Sequence, residues 1–331
     1  RAGLSARPFA VARYTSGPMQ ALLARTLAAA PFDAVICDTP YGAANLPALH
    51  CPLLLHAHNL EHDLVRQYAR VARNPAVRVY AHLEAAHLRR WERALARRAQ
   101  AILSCSAADR RRFAALAPET PAVVAPNVLC LSDYAAGPAG DDRTLVYQGG
   151  MDWLPNRDAV AYFAARILPL VRQRVPQARL VAAGRTPPPK FARHWRRAAG
   201  VEFTGTLPDL RPIIRQSALS IVPLRLGGGT RLKILEAAAL GRAIVSTRLG
   251  AEGLAFTPGA EIEIADGATA FAQAVISLLL DRQRRAAMGA AARRRIEQSY
   301  GLPQLCVSLR RALRLVQPQR AAEPLTLGLG A

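Results

Sequence analysis

The chain has 331 residues, enough for two domains, and half of them are hydrophobic, enough for a sizeable core. No run reaches the roughly 18 apolar residues of a membrane span, and no signal peptide is read at the start. The formal charge of +21 favours anionic partners, and all but two of the 44 basic residues are Arg, the exceptions being Lys190 and Lys233. Local clusters lie at Arg89–Arg98, Arg193–Arg197 and Arg282–Arg295, and the two that sit in helical patterns read first as solvated faces. No basic and aromatic nucleic-acid module is visible, so nucleic acid is not expected as a partner, whereas peripheral contact with an anionic inner membrane is the better functional alternative. Cys37, Cys51, Cys105, Cys130 and Cys306 are scattered without metal spacing and read as reduced residues, with no disulfide and no zinc.

Strand and helix alternate in both halves. The first half runs from a helix at Met19–Ala29 through strands at Ala34–Cys37 and Pro52–His56 to a long polar helix at Val77–Arg98. A strand at Ala101–Ser104, a helix at Ala107–Leu116 and a strand at Ala122–Ala125 complete it. Residues 131–142 are small, polar and turn-rich and read as the linker. In the second half the strand Thr144–Tyr147 feeds Gly149-Gly150 and a helix over Arg157–Arg174. Then come strand Arg179–Ala183, a proline-rich loop at Thr186–Pro189, strand Val201–Phe203, helix Leu210–Gln216, strand Leu219–Pro223, a triple-glycine helix and strand Ala243–Thr247. Short apolar strands separated by helices predict two doubly wound, parallel-sheet α/β domains. Domains are expected at 1–130 and 143–300, with a helix at 301–316 packing back on the first domain and a loose tail at 317–331. No strand with a glycine turn precedes Met19, so the first domain is expected to lack its opening strand-helix unit.

Gly227, Gly228 and Gly229 stand out because three ordered glycines are entropically costly. They lie between a parallel strand and a helix for which Thr230 is the expected N-cap and Gly241 the end. Ligands of open α/β sheets bind at that place, and the free N–H groups of a helix start suit phosphate. On the apolar helix that follows, Lys233 and Glu236 share a face. Either they simply pair, or Arg231 and Lys233 serve phosphates while Glu236 serves sugar hydroxyls.

His56, His58, Asn59, Glu61 and His62 form the densest polar constellation of the first half, again at a strand's carboxyl end. A metal site, a satisfied turn with a helix cap, and an acceptor-side site are all compatible with these residue types.

The stretch Pro223–Ala237 (PLRLGGGTRLKILEA), with Gly241, Ile244–Thr247 and Gly250–Gly253, resembles the donor-site region of family-4-type retaining glycosyltransferases. Gly149–Asn156, Phe203-Thr204-Gly205 and Pro126-Asn127 resemble further parts of a bacterial subgroup. The resemblance spans residues 8–316. It implies the glycosyltransferase-B fold, two Rossmann-like domains facing across a cleft. It also implies a nucleoside-diphosphate sugar as donor substrate, held by the second domain, and a glycan, lipid-linked or small-molecule acceptor.

By this match the diphosphate would lie at Gly149, Gly150, Gly228, Gly229 and Thr230, with Arg231 and Lys233 as charge partners. Glu236 would hold the ribose, and His58 would be the catalytic or acceptor-side histidine. Departures are equally specific. Gly228 stands where the family often has a first glutamate, the usual Arg and Lys after the first strand of the donor domain are missing, and Asn127-Val128 replaces a common Asn-Gly. No Asp-x-Asp motif is present, so no essential metal and no cofactor is expected. Implied are a cytoplasmic enzyme and a role in cell-surface polysaccharide or glycolipid synthesis. The rival readings are a sugar-nucleotide epimerase or hydrolase on the same fold, and a catalytically weak binding protein.

Overall fold

A computed structural model describes residues 7–72, 74–137 and 140–316. The chain divides into two compact units, one built from residues 1–126 and 303–331 and the other from 127–302.

The first unit opens with helices α1 (Phe9–Tyr14) and α2 (Gly17–Ala29), followed by strands β1 (Val35–Asp38) and β2 (Leu53–Ala57). Helices α3 (Glu61–Val71) and α4 (Pro75–Arg98) lead to β3 (Ala101–Ser104), α5 (Ala107–Leu116) and β4 (Ala122–Val124). The four strands form a parallel sheet in the order β1-β2-β3-β4. Leu53, Leu54 and Leu55 are all buried, as expected of a strand covered on both faces. Register places Asp38 beside His56, and Ala57 beside Ser104, so polar residues converge at one sheet edge.

Helix α3 is absent from the sequence reading. Its start has a capping device that no local pattern reveals. Glu92, fully buried on α4, accepts the backbone N–H of Glu61 (2.7 Å) and of His62 (3.1 Å), an anion at a helix N-terminus.

The second unit contains β5 (Thr144–Gln148), α6 (Leu154–Tyr162), α7 (Leu168–Arg174), β6 (Arg179–Ala183), α8 (Pro189–Ala199), β7 (Glu202–Phe203), α9 (Arg211–Gln216) and β8 (Leu219–Val222). It continues with α10 (Leu232–Ala239), β9 (Ala243–Ser246), β10 (Glu263–Ile264), α11 (Ala268–Leu280) and α12 (Arg282–Ser299). The helix expected over 157–174 starts earlier, at Leu154, and carries a π-helical turn at Phe163–Ile167. Pro169 follows that turn and lacks the N–H that a regular helix would use there. Helix α8 was likewise not foreseen.

Six parallel strands are ordered β10-β9-β8-β5-β6-β7. Chain order reverses between β5 and β8, and this reversal positions the site described below. Residues 131–142, read from sequence as a linker, belong to the second unit at their described positions. The backbone N–H of Gly140 and of Asp141 donates to the Gln216 carbonyl, and Asp141 caps the start of β5 through Thr144. The last helix, α13 (Leu302–Val316), packs Leu305, Leu309 and Ala312 against Leu54, Leu103 and Val123 of the first unit. The expected loose tail at 317–331 lies outside the described residues.

Candidate functional site

Strands β5 and β8 are neighbours at the point where the sheet's winding changes direction, so the loops leaving their carboxyl ends diverge. The loop after β5 carries Gly149 and Gly150, and the loop after β8 carries Gly227–Thr230. Sequence-predicted residues from both loops thus meet at one sheet edge.

Lys233 joins the two loops. Its ammonium, from the first turn of α10, donates to Tyr147 Oη (2.7 Å) and Asn156 Oδ1 (3.0 Å) and lies 4.0 Å from the Tyr147 ring centre. Asn156 in turn donates to the Gly150 carbonyl (2.8 Å) and accepts from Tyr147 Oη (2.6 Å). Desolvation, then the nearby Arg231 charge, hold the Lys233 pKa well below the ordinary lysine range, with Glu236 opposing. Gly149 adopts a φ of 149°, and a Cβ there would lie 2.8 Å from Asn156 Nδ2 and 3.1 Å from Lys233 Nζ. A glycine is therefore what allows the backbone to run past this ammonium.

Arg231, expected from sequence as a phosphate partner, turns toward the glycine loop. It is 6% exposed, and its guanidinium donates to the carbonyls of Gly228 and, at 2.8 Å, Gly229. A Cβ on Gly227 would sit 2.8 Å from that guanidinium. The arginine braces the glycine loop from inside. Thr230 is not the N-cap: Arg231 holds that position without a side-chain cap, and the Thr230 hydroxyl instead accepts from Asn127 Nδ2 at 2.5 Å. The loop bends one residue further than the sequence pattern suggested, because Arg231 turns back on the carbonyls.

Glu236 lies one turn beyond Lys233. Among the described residues no ion pair joins them, since the ammonium is directed to Tyr147 and Asn156. Tyr134 Oη donates to Glu236 Oε1 at a long 3.4 Å. Burial raises the Glu236 pKa, against hydrogen bonds from Tyr134 and Gln148. Gln148, at the end of β5, also donates to the Lys233 carbonyl (2.8 Å), which ties α10 to the sheet.

Sequence alone missed Tyr147, Gln148, Tyr134 and Arg185. Arg185 follows Gly184 at the end of β6, pairs with Asp152 at 3.3 Å and is 67% exposed. A Cβ on Gly150 would lie 2.9 Å from its Nε. Its position directly after a strand-terminal glycine is the signal that could have found it. The edge therefore offers backbone N–H groups, the start of α10, a desolvated ammonium and an exposed guanidinium, a set suited to a diphosphate.

The histidine constellation of the first unit separates into two parts. His62 is buried and bonds Glu92 through Nδ1 at 2.6 Å, a structural pair. Asn59 supplies no bonded side chain to the cluster, and Glu61 accepts from Tyr41 Oη at 2.8 Å. His56 and His58 converge instead on Asp38 and Cys105, at the carboxyl ends of β1, β2 and β3. Asp38 Oδ1 lies 2.7 Å from His56 Nδ1 and 2.9 Å from His58 Nε2. The Cys105 sulfur lies 3.8 Å from His56 Nε2 and 3.5 Å from His58 Nδ1.

Known proteins agree with this architecture. Residues 142–281 match the family model of glycosyl transferases group 1. No curated protein matches in sequence. TarM, known from S. aureus, shares 13% identity with a TM-score of 0.71 over 89% of this chain and 58% of its own. Sucrose-phosphate synthase from Thermosynechococcus elongatus shares 18% identity with a TM-score of 0.70, over 89% and 76% of the two chains. Anabaena Alr3699/HepE, solved with UDP and glucose, shares 15% identity with a TM-score of 0.65, over 88% and 81%. The chain thus spans somewhat over half the length of TarM. At such identities these structures establish the fold. Residues 142–281 are similar to the glycosyl transferases group 1 model, and the two parallel-sheet, Rossmann-like units share the fold of these glycosyltransferase-B structures.

Proposed function

We propose that this protein transfers a glycosyl unit, with retention at the anomeric carbon, from a nucleoside-diphosphate sugar to a glycan, lipid-linked or small-molecule acceptor. The observation that carries this reading is the meeting of two glycine loops and Lys233 at the β5/β8 winding reversal. In this reading the N–H groups of Gly150, Gly228, Gly229 and Thr230 hold the diphosphate, whereas the Gly149 N–H, expected from sequence to join them, donates to the Ala183 carbonyl at 2.8 Å and only its lack of a side chain serves the site. Lys233 and Arg185 supply positive charge, and Arg231 positions the loop. Glu236, whose Tyr134 hydrogen bond is long, accepts from the ribose hydroxyls.

Charge grows on the leaving diphosphate as the glycosidic bond breaks. Fixed dipoles and cations stabilise it where it develops, without reorganisation. Burial and the Arg231 charge lower the Lys233 pKa, and a dianionic ligand beside it opposes that shift and favours the charged form. The solved structures of HepE and TarM with UDP support a nucleotide of this kind as ligand. TarM was also solved with a glycan and a glycosyl-glycerol, which supports an acceptor of that chemistry here. His58, by resemblance, serves the acceptor side. Among the described residues no helix is long and apolar enough to cross a membrane, and the charge of +21 supports peripheral attraction to an anionic bilayer. Synthesis of a cell-surface polysaccharide or glycolipid fits such a location.

A thermal-shift screen against UDP-, GDP-, ADP- and TDP-sugars tests the reading. Stabilisation by one of them, followed by transfer to an acceptor with the anomeric configuration kept, is the expected result. Sugar release without an acceptor would identify a hydrolase. No stabilisation by any donor would favour the rival reading of a catalytically weak binding protein, which Gly228 in place of the family's first glutamate also supports.

A further inference from the structure

The polar cluster at the carboxyl edge of the first sheet has one sulfur facing two imidazoles. Asp38 is a single carboxylate at the end of β1, and its Oδ1 touches one nitrogen of each ring: Nδ1 of His56 and Nε2 of His58. A carboxylate accepts, so it selects the tautomers protonated at those atoms. The lone pairs left over, on His56 Nε2 and His58 Nδ1, both point at Cys105 Sγ, 3.8 and 3.5 Å away. The backbone carbonyl of Ala57 also lies 3.9 Å from that sulfur. One thiol has one proton, and at least these three acceptors lie around it.

We propose that Cys105, His56 and His58 bind a zinc ion, with Asp38 orienting both imidazoles. Ideal zinc bonds of about 2.3 Å to sulfur and about 2.0–2.1 Å to nitrogen, meeting at a tetrahedral angle, set sulfur and nitrogen about 3.6 Å apart. The two observed separations bracket that value. All three ligand atoms lie within 4.8 Å of one another, so a small rotation of the more exposed ring, His58, closes the nitrogen–nitrogen edge. A carboxylate behind a metal-binding histidine is the usual outer-shell arrangement, and here one carboxylate serves two.

On binding, the thiol proton of Cys105 leaves to solvent and the thiolate sulfur bonds the metal. Water fills the fourth position, because His56 and His58 are 22% and 40% exposed and open a path to the ion. Sulfur and imidazole donors favour zinc over magnesium or calcium. From sequence a metal site was one reading of the histidines, but Asp38 and Cys105 were not part of it, because they lie at the ends of the neighbouring strands β1 and β3 and share no short spacing with His56 and His58. The inference is independent of the donor-site reading, since all four residues belong to the first unit. It does compete with one detail of that reading: a bound zinc takes the Nδ1 lone pair of His58, so an imidazole acting on the acceptor and a loaded metal exclude each other.

Cobalt titration of the chelator-stripped, full-length protein tests the proposal. One Co2+ per chain is expected, with a thiolate-to-cobalt charge-transfer band and tetrahedral d–d bands, and Zn2+ should displace it. Cys105→Ser should abolish the charge-transfer band, whereas Cys130→Ala should keep it. Asp38→Asn should weaken binding about 10- to 100-fold. If Cys105→Ser does not fold, His58→Ala, altered at a partly exposed side chain, should weaken binding at least as much as Asp38→Asn. Failure of the folded wild type to bind cobalt or zinc stoichiometrically would overturn the proposal. So would a charge-transfer band that survives Cys105→Ser, or affinity unchanged in His58→Ala.

Discussion

The two units use the same edge of the same kind of sheet in opposite ways. In the second unit the carboxyl edge is made of backbone: Gly149, Gly150 and Gly227–Gly229 strip away side chains, and one lysine is brought to the resulting surface. In the first unit the edge is made of side chains: Asp38, His56, His58 and Cys105 crowd onto three strand ends. Glycine turns expose N–H groups and suit an extended anion. Imidazole, carboxylate and thiol suit a proton or a metal ion. Parallel-sheet topology fixes where a site lies, and the residues at the strand ends decide its chemistry.

Substitutions can break this contrast, beginning with the backbone edge. Gly149→Ala should be the most damaging. It forces a side chain into a φ of 149° and against Asn156 and Lys233. Strain and overpacking together should cost about 4 kcal/mol, read by urea unfolding, and nucleotide binding should be lost with it.

On the side-chain edge, Glu61 sits at the start of α3, just past β2. Burial raises its pKa from 4.5 to about 7, against the hydrogen bond from Tyr41. A carboxyl with a raised folded pKa stabilises the fold below its unfolded pKa, and that advantage is lost as pH rises from about 4.5 through 7. Glu61→Gln removes the penalty of ionisation. It should therefore stabilise the protein by about 3 kcal/mol at pH 8 and by much less at pH 5, compared by denaturant midpoints.

Lys233→Met should weaken nucleoside-diphosphate binding by roughly 30-fold, about 2 kcal/mol for a lost charge-assisted contact. The wild-type affinity should fall with rising pH earlier than an ordinary lysine would allow, and the variant should not show this fall, compared by titration calorimetry across pH. Arg185→Ala should be the mildest change, about threefold in affinity, because its guanidinium is exposed and already paired with Asp152.

How far the sequence could be read differs between the units in the same sense. The backbone edge was legible because consecutive glycines between a strand and a helix are a local pattern, and Gly149-Gly150 repeats it after β5. What the pattern could not show was direction. Arg231 and Lys233 both read as phosphate partners, yet Arg231 turns inward to the loop carbonyls while Lys233 reaches across to Tyr147 and Asn156, 86 and 77 residues away in sequence. The alternation of strand and helix gave both sheets, but α3 escaped notice because its cap, Glu92, comes from another helix. In the first unit the histidines were visible and their partners were not. Asp38 and Cys105 join them only through strand register, which pairs Asp38 with His56 and Ala57 with Ser104. His62, adjacent to that group in sequence, turns out to face Glu92.

In the proposed function a sugar nucleotide sits on the glycine edge with its ribose on Glu236. Titration calorimetry of the wild type and Glu236→Ala with the nucleoside diphosphate of the preferred donor tests it most directly, alongside inorganic pyrophosphate as a ligand without ribose. Wild-type binding should weaken by about 10- to 100-fold in Glu236→Ala for the nucleotide, while the much weaker pyrophosphate affinity stays the same. Equal nucleotide affinity in the two proteins, each shown to be folded, would mean that Glu236 does not hold the ribose.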